Sequence, residues 1–145
     1  MTAILTLPAA AGFNISTLSQ AEHDILDADL FTRLCEELKD LFRKENKIFF
    51  ELIKMPTDME ITIMNASFLR CIINDIISTD EYTLPGVAYY SDTPEEVVYE
   101  VITGQNINPS NHLVRKIMDL HRTVRPELYR KLLKKIISDV SLCAT

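Results

Sequence analysis

The amino-acid sequence predicts an all-α protein of about six helices, and three observations support that fold class. Apolar residues recur three and four positions apart through most of the chain, which is the spacing of one face of a helix. Capping residues, prolines and a glycine mark where several helices begin and end. No stretch alternates between apolar and polar residues as a half-buried strand does, and no internal repeat is present. With 145 residues and 47 % hydrophobic composition, the chain is long enough to bury a core.

Residues 1–18 are predicted to form an N-terminal arm. They are mildly apolar and contain no Lys or Arg. Because a secretory signal begins with a basic segment, that interpretation is rejected. No apolar run in the chain approaches the ~18 residues of a membrane span, so no membrane contact is expected. The sequence does not decide whether the arm is loose or docked on the body.

Residues 19–66 are predicted to form a helical extension that either stabilises the core or makes a homodimer. Ser19 and Glu22 have the spacing of a capping box at its start. The apolar stripe that follows is interrupted by charged residues and then resumes. The sequence therefore allows one helix of about seven turns or two helices with a break near Asn46. Pro56 ends this stretch, since the residue before a proline disfavours the helical conformation.

An apolar triplet, Ile48-Phe49-Phe50, lies within this otherwise charged region. One interpretation is a contact between two copies of the chain. Burial against a following helix, predicted from about Thr57 to Ser78, explains the triplet equally well. Both interpretations stay open.

The middle of the chain is typical of two short helices joined by a tight turn. Thr83 is expected to cap the first helix. The second has Thr93 as cap, Pro94 at its first helical position and Glu96 completing a capping box. Gly104 is expected to end it in the left-handed conformation.

The C-terminal part of the chain is predicted to hold two further helices, one capped by Ser110 or Asn108 and one opened by Pro126. Residues 111–145 carry eight Lys and Arg against three Asp and Glu, a net charge of +5; the total of −6 therefore leaves −11 for residues 1–110. This asymmetry indicates self-association by charge complementarity or a basic face for an anionic partner. The alternative is two solvated faces that differ in sign.

Three residues of the predicted helix pair and its exit are spaced ten and six positions apart: Ala88, Val98 and Gly104. With Val87 beside the small residue, this pattern resembles the phage-repressor-like, Cro-type helix-turn-helix family over about residues 68–124. The resemblance implies a helix-turn-helix core in which these four residues pack the motif, preceded by a long N-terminal helical extension. A small side chain is needed there because the two helices cross at a wide angle.

The sequence departs from the family at the positions that contact bases. In register, these fall on Glu95, Glu96 and Glu100, which share a predicted recognition-helix face with Tyr99. The usual base readers are Arg, Lys, Asn and Gln, and each close carboxylate–phosphate pair costs on the order of 1 kcal/mol. Asp92 stands where the family has its turn glycine. The resemblance therefore implies the fold more directly than it implies DNA binding.

The first functional hypothesis is a non-enzymatic, transcription-regulator-like protein that binds double-stranded DNA. Residues 67–145 would combine the helix-turn-helix core with basic C-terminal helices. Because phosphate contacts supply most non-specific affinity, the candidate contacts are the basic residues of that region. They are Arg115, Lys116, Arg122, Arg125, Arg130, Lys131, Lys134 and Lys135.

The second hypothesis is a protein-interaction adaptor or regulatory subunit that keeps the helix-turn-helix scaffold without binding DNA. Its acidic second helix would favour a basic protein partner. A homodimer or other homo-oligomer is expected under either hypothesis, because modules of this kind act as symmetric pairs.

No enzyme is expected. The sequence contains no HExxH, GxSxG, glycine-rich phosphate loop or CxxC motif, so neither a catalytic residue, a cofactor nor a metal site is predicted. His121 is predicted to lie at the edge of the core. Cys35, Cys71 and Cys143 are odd in number and far apart, which favours buried, reduced thiols and a cytoplasmic protein.

Four tyrosines cluster around the predicted helix pair: Tyr82, Tyr89, Tyr90 and Tyr99. Aromatic side chains beside basic residues stack on nucleic-acid bases, but the neighbours here are acidic. Packing in the core or between helices is therefore expected, with the hydroxyl groups at the boundary.

Overall fold

Helices make up all the regular secondary structure of the described chain. The structure is a computed structural model; it describes residues 5–143, with side-chain exposure to residue 139. Within that range eight α-helices and a short 3₁₀ helix (Ile15–Thr17) occur, and no strand, which confirms the all-α class. The α-helices are α1 (Leu7–Ala10), α2 (Gln20–Glu45), α3 (Lys47–Leu52), α4 (Thr57–Ser78), α5 (Leu84–Tyr90), α6 (Glu95–Ile102), α7 (Asn111–Val124) and α8 (Pro126–Cys143).

The number of helices exceeds the predicted number of about six because two additional short helices, α1 and α3, are present. The first is a single turn that the apolar spacing does not reveal. The second exists because the long N-terminal helix is interrupted at Asn46, one of the two alternatives that the sequence left open. The Asn46 side-chain amide donates to the carbonyl oxygen of Phe42 (2.8 Å), a local bond that competes with continued helix.

The chain divides into two compact units. One combines the described residues up to Asp40 with those from Arg125 onward, and the other is Leu41–Val124. Helix α8 is thus grouped with the N-terminal helices by its contacts, which spacing along the chain does not reveal.

The first unit contains α1, most of α2, and α8. The capping box at the start of α2 is formed in both directions: Ser19 N–H donates to Glu22 Oε1 and Glu22 N–H donates to Ser19 Oγ, each at 3.1 Å. These bonds lower the pKa of Glu22 below its ordinary value of 4.5, the Ser19 backbone bond contributing most. Lys135 Nζ on α8 donates to Glu37 Oε2 on α2 (2.7 Å), which raises the pKa of Lys135.

The N-terminal arm is docked within the first unit. Leu7 and Pro8 are buried, and Thr6 Oγ1 lies 3.3 Å from His23 Nε2 on α2. Of the two alternatives for the arm, the docked one therefore holds for its described residues; residues 1–4 lie outside them.

The second unit is built around α4. This helix packs against α5, α6 and α7, and α5 also packs against α6 and α7. Its buried side chains recur at helical spacing: Met64, Phe68, Leu69, Ile72, Ile73 and Ile76. The predicted helix from about Thr57 to Ser78 thus serves as the centre of this unit.

The same helix is, by length and composition, the one described helix that is apolar enough to cross a membrane, and 33 % of its most apolar window is buried. The sequence analysis expected no such run, because polar residues interrupt the apolar stretch of α4. The core helix of a protein meets the same criteria.

The thiols are less buried than the sequence predicted. Among the described residues, Cys35 and Cys71 form no disulfide and are half-buried. Partial burial raises the pKa of the Cys71 thiol. The side chain of Cys143 lies outside the described residues.

Candidate functional site

The candidate site is built on α5 and α6, the two short helices that pack against each other. As predicted, Thr83 caps α5, and its Oγ1 accepts a hydrogen bond from the Gly86 N–H (3.2 Å). The chain leaves the helical conformation after Tyr90 and resumes it at Glu95. Two separate helices, packed against each other, therefore carry the candidate site.

The turn between these helices depends on a residue in the left-handed conformation. Asp92 has φ of 54° at the position where the resemblance places a glycine; Asp tolerates this conformation better than most residues. Lys116 on α7 donates from Nζ to the Asp92 carbonyl oxygen (2.9 Å). The Thr93 N–H donates to the Ala88 carbonyl oxygen (2.9 Å), so the turn is held from two sides.

The predicted capping box of α6 is wrong. Pro94, not Thr93, is the N-cap residue, with extended ψ of 138° and no side-chain capping bond. The Thr93 hydroxyl is instead engaged within the turn, where it accepts from Ser91 Oγ (3.1 Å). The cap is lost because the left-handed residue before it directs the Thr93 side chain back toward α5.

The residues assigned to motif packing lie at the contact between the helices. Val87 and Ala88 of α5 are buried, as is Val98 of α6. Gly104 has φ of 79°, the left-handed conformation that the sequence predicts after α6. These four residues position the site without contacting a ligand.

The outer face of α6 is acidic. Four of its residues are exposed: Glu95, Glu96, Tyr99 and Glu100. Successive members are one, three and one positions apart along the chain, which places them on the side of the helix opposite the buried Val98. Among the described residues, none forms an ion pair with these three carboxylates. The negative charge of this face is therefore open to solvent.

The tyrosines are surface residues, and the prediction that they pack inside is wrong for three of them. Tyr89 is 79 % exposed, Tyr90 56 % and Tyr99 45 %; only Tyr82 is half-buried. The ring of Tyr90 makes edge-to-face contacts with Tyr82 (5.4 Å between centroids) and Tyr89 (5.1 Å). Since α5 has only seven residues, its inner side is filled by Val87 and Ala88, which leaves the aromatic pair outside.

We call the exposed tyrosines of α5 and α6, together with the exposed carboxylates of α6, the acidic–tyrosine face, because the two helices that carry them pack against each other. Its members are Tyr89, Tyr90, Glu95, Glu96, Tyr99 and Glu100. It lies in a long stretch without positive charge, because residues 71–114 contain seven Asp and Glu and no Lys or Arg. A surface of this composition attracts cationic groups and repels phosphates.

The eight candidate phosphate contacts are divided between the two units, and several are engaged within the chain. Lys116 bonds to the turn, and Lys135 pairs with Glu37. Arg130 pairs with Glu127 at 2.6 Å. Arg122 is buried, 3.8 Å from Asp119, and is therefore not placed to contact a phosphate, since its aliphatic stem continues the buried side of α7.

The remaining four candidates differ in exposure. Arg115 and Arg125 are half-buried, whereas Lys131 and Lys134 are exposed on α8. Among described residues, neither of these two lysines forms an ion pair. The two exposed, unpaired candidates thus lie on α8, in the unit that does not contain the acidic–tyrosine face.

A polar pair that the sequence does not reveal lies inside the second unit. His121 on α7 is fully buried, deeper than the predicted core edge, and its Nε2 lies 2.7 Å from Asp75 Oδ2 on α4. The residues are 46 positions apart, so no local motif signals them. The pair links the two helices that pack against each other most extensively in this unit.

Within the described residues, no group of three or more His, Cys, Asp and Glu side chains is arranged to hold a metal ion. The comparisons with known proteins give no further lead: no family model matches the chain, and no significant similarity to a curated protein or a solved structure is found.

Proposed function

We propose that the protein is a non-enzymatic, helix-turn-helix regulator that binds a basic protein surface through the acidic–tyrosine face. The observation that carries this proposal is the outer face of α6, where three carboxylates and a tyrosine are exposed. In this proposal the protein is a cytoplasmic adaptor or regulatory subunit that works without a cofactor.

The arrangement of charge on α6 favours a cationic partner. Glu96 and Glu100 are one turn apart, and like charges at that spacing destabilise a helix by about 0.2–0.5 kcal/mol. Glu100 also lies in the last turn, where the helix dipole disfavours negative charge. A lysine or arginine of a partner would relieve both effects on binding, so part of the binding energy comes from charge that is unfavourable in the free protein.

The tyrosines supply the apolar part of the proposed interface. Tyrosine is enriched in protein interfaces because it buries a large ring and keeps a polar hydroxyl. A guanidinium or ammonium group over a tyrosine face adds a cation–π attraction of about 0.5–1 kcal/mol at an exposed site. Arginine-bearing protein segments suit both the rings and the carboxylates.

Transcription-regulator-like binding of double-stranded DNA is the second candidate. It is favoured by one observation, the exposed Lys131 and Lys134 on α8. In that case α8 would contact phosphates, and α6 would stay outside the major groove because its carboxylates repel the backbone.

A binding assay with two fluorescent probes separates the candidates. One probe is a cationic, arginine- and leucine-containing peptide of about 20 residues, and the other is a mixed-sequence duplex of about 25 base pairs, both titrated with full-length protein from about 50 to about 300 mM salt. The proposal expects saturable, salt-sensitive binding of the peptide and none of the duplex. Tight duplex binding with no peptide binding would contradict it.

Charge-reversal variants then identify the face. Replacing Glu95, Glu96 and Glu100 together by Lys should weaken peptide binding at least about tenfold. The matched control reverses three exposed acids of the other unit, Asp24→Lys/Glu36→Lys/Asp139→Lys, and so changes the net charge equally. Equal losses in the two variants would mean that net charge alone, and not this face, governs binding.

A further inference from the structure

A second unpartnered surface lies on α3, in a different part of the second unit. Four of its side chains are exposed: Ile48 by 75 %, Phe49 by 57 %, Leu52 by 77 % and Ile53, the residue that follows the helix, by 48 %. Their spacing of one, three and one puts them on one side. We call these four residues the α3 face.

The opposite side of α3 is already buried. Phe50 is 5 % exposed, and its ring packs on that of Phe49 (5.9 Å between centroids). The helix therefore has apolar residues on both sides, a pattern typical of helices that are buried all round. Folding of the unit buries one side only.

Apolar side chains are also exposed at the start of the next helix. Met59, Ile61 and Ile63 at the start of α4 are exposed by 50 %, 45 % and 36 %. The four side chains of the α3 face, at their exposures, amount to several hundred Å² by themselves, the size at which apolar patches mark interaction sites. A stable dimer buries about 800 Å² on each partner, of which roughly two-thirds is apolar, so this surface is large enough to form its core.

The charges around the α3 face are balanced. Three lysines, Lys44, Lys47 and Lys54, stand among three acids, Glu45, Glu51 and Asp58. All six are exposed, and none of them forms an ion pair with another described residue. Anionic lipid and nucleic acid both require an excess of positive charge, which this rim does not have.

We infer that the α3 face is the homodimer interface, and that its occupant is the same face of a second copy of this chain. In a two-fold symmetric contact each residue meets the partner's copy of the opposing residue, so the surface must complement itself. An apolar centre surrounded by equal numbers of both signs meets that requirement. The acidic–tyrosine face is not part of this contact, so the inference stands independently of the proposed function.

Sedimentation of the full-length protein over roughly 1–100 µM tests the inference, because dimerisation depends on concentration. The wild-type chain should sediment at twice its 16.6 kDa mass. Leu52→Glu should weaken self-association at least about tenfold, since it places a charge at the centre of an apolar contact. The position is exposed, so circular dichroism should report unchanged helix content.

The matched control is Ile107→Glu, which adds the same charge at an apolar residue that is 62 % exposed but lies outside the α3 face. This variant should remain dimeric. A wild-type chain that is monomeric at the highest concentration, a Leu52→Glu variant that still dimerises like wild type, or an equal loss in the control would overturn the inference. A monomer that sediments with phosphatidylcholine vesicles would also overturn it, in favour of a lipid surface.

Rim variants test whether the occupant is a second copy. Lys44→Glu/Lys47→Glu makes the rim acidic, and Glu45→Lys/Glu51→Lys makes it basic. Each variant alone should self-associate more weakly than wild type because like charges then face each other, and an equimolar mixture should form a heterodimer. If the mixture self-associates no more strongly than either variant alone, the rim is not self-complementary.

Discussion

His121 and Asp75 are the strongest example of a single-residue interaction that the linear sequence does not reveal. The imidazole is completely buried, while the carboxylate that accepts its hydrogen bond remains 26 % exposed. A buried polar side chain without adequate hydrogen bonding carries a desolvation cost. This bond therefore fixes α7 against α4, the scaffold on which α5 and α6 rest.

Replacing the carboxylate tests this role. Asp75→Ala should lower the free energy of unfolding by about 1–3 kcal/mol, because it removes a 2.7 Å bond to a buried side chain. Urea denaturation followed by circular dichroism measures the change. Asn74→Ala, at the exposed neighbouring position, is the control and should stay within about 0.5 kcal/mol of wild type. Similar values for both variants would show that the bond adds little.

Glu22 gives a pH-dependent prediction. Its pKa is lowered in the folded protein by the Ser19 hydrogen bonds, so its contribution to stability is complete above the unfolded pKa and is lost as pH falls through the folded pKa. Glu22→Gln keeps a capping side chain that does not titrate. Unfolding at about pH 6 should find wild type more stable than the variant, and the difference should shrink as the pH falls below the ordinary value of 4.5. A constant difference across this range would contradict the assignment.

At the scale of the secondary-structure element, α6 combines a buried apolar side with an acidic outer side that does not stabilise the helix. Glu95 and Glu96 are in the first turn, where the helix dipole favours negative charge. Glu100 is not in the first turn, and it lies one turn away from the like charge of Glu96. The element is thus less stable than its length and apolar side allow, which is typical of a surface shaped by binding.

Neutralising this residue should stabilise the free protein. Glu100→Gln is expected to raise the free energy of unfolding by roughly 0.3–1 kcal/mol, because it removes like-charge repulsion and an unfavourable dipole interaction. The same variant should bind the cationic peptide more weakly. Thermal unfolding at low and high salt measures the first effect, and the gain should shrink at high salt. A destabilised variant would mean that Glu100 has a structural partner.

Local sequence signals predicted some elements of the fold well. A cap at Thr83 and a helix end at Gly104 depend on short-range interactions. Each could therefore be predicted from a few neighbouring residues. The role of Thr93 could not be predicted in this way, because its hydroxyl accepts a hydrogen bond from Ser91 within the turn. The left-handed Asp92 decides that outcome, and backbone conformation at a non-glycine residue is not visible in a spacing pattern.

The candidate site could be predicted only in part. Helical spacing predicts that Glu95, Glu96 and Glu100 share one face of a helix, and all three are exposed in the structure. The tyrosines were misassigned because aromatic residues are buried on average, and only the assembled helices reveal that Val87 and Ala88 already fill the inner side of α5. Long-range contacts therefore account for most of what the sequence did not predict.

At the scale of the whole molecule, the two candidate binding surfaces lie in different compact units. The acidic–tyrosine face belongs to Leu41–Val124, and the exposed lysines of α8 belong to the other unit. In the proposed function the first of these surfaces recognises a basic partner, and the α3 face pairs two copies of the chain. A dimer would present two acidic–tyrosine faces to one partner, which raises its apparent affinity through effective concentration.

The most direct test of the central claim is amide chemical-shift mapping of the isotope-labelled, full-length protein during titration with the cationic peptide. The account predicts that the largest shifts fall on Tyr89, Tyr90 and residues 95–100, and that they decrease as salt screens the carboxylates. Shifts concentrated on Lys131 and Lys134 with duplex DNA, and none on α6 with the peptide, would contradict it.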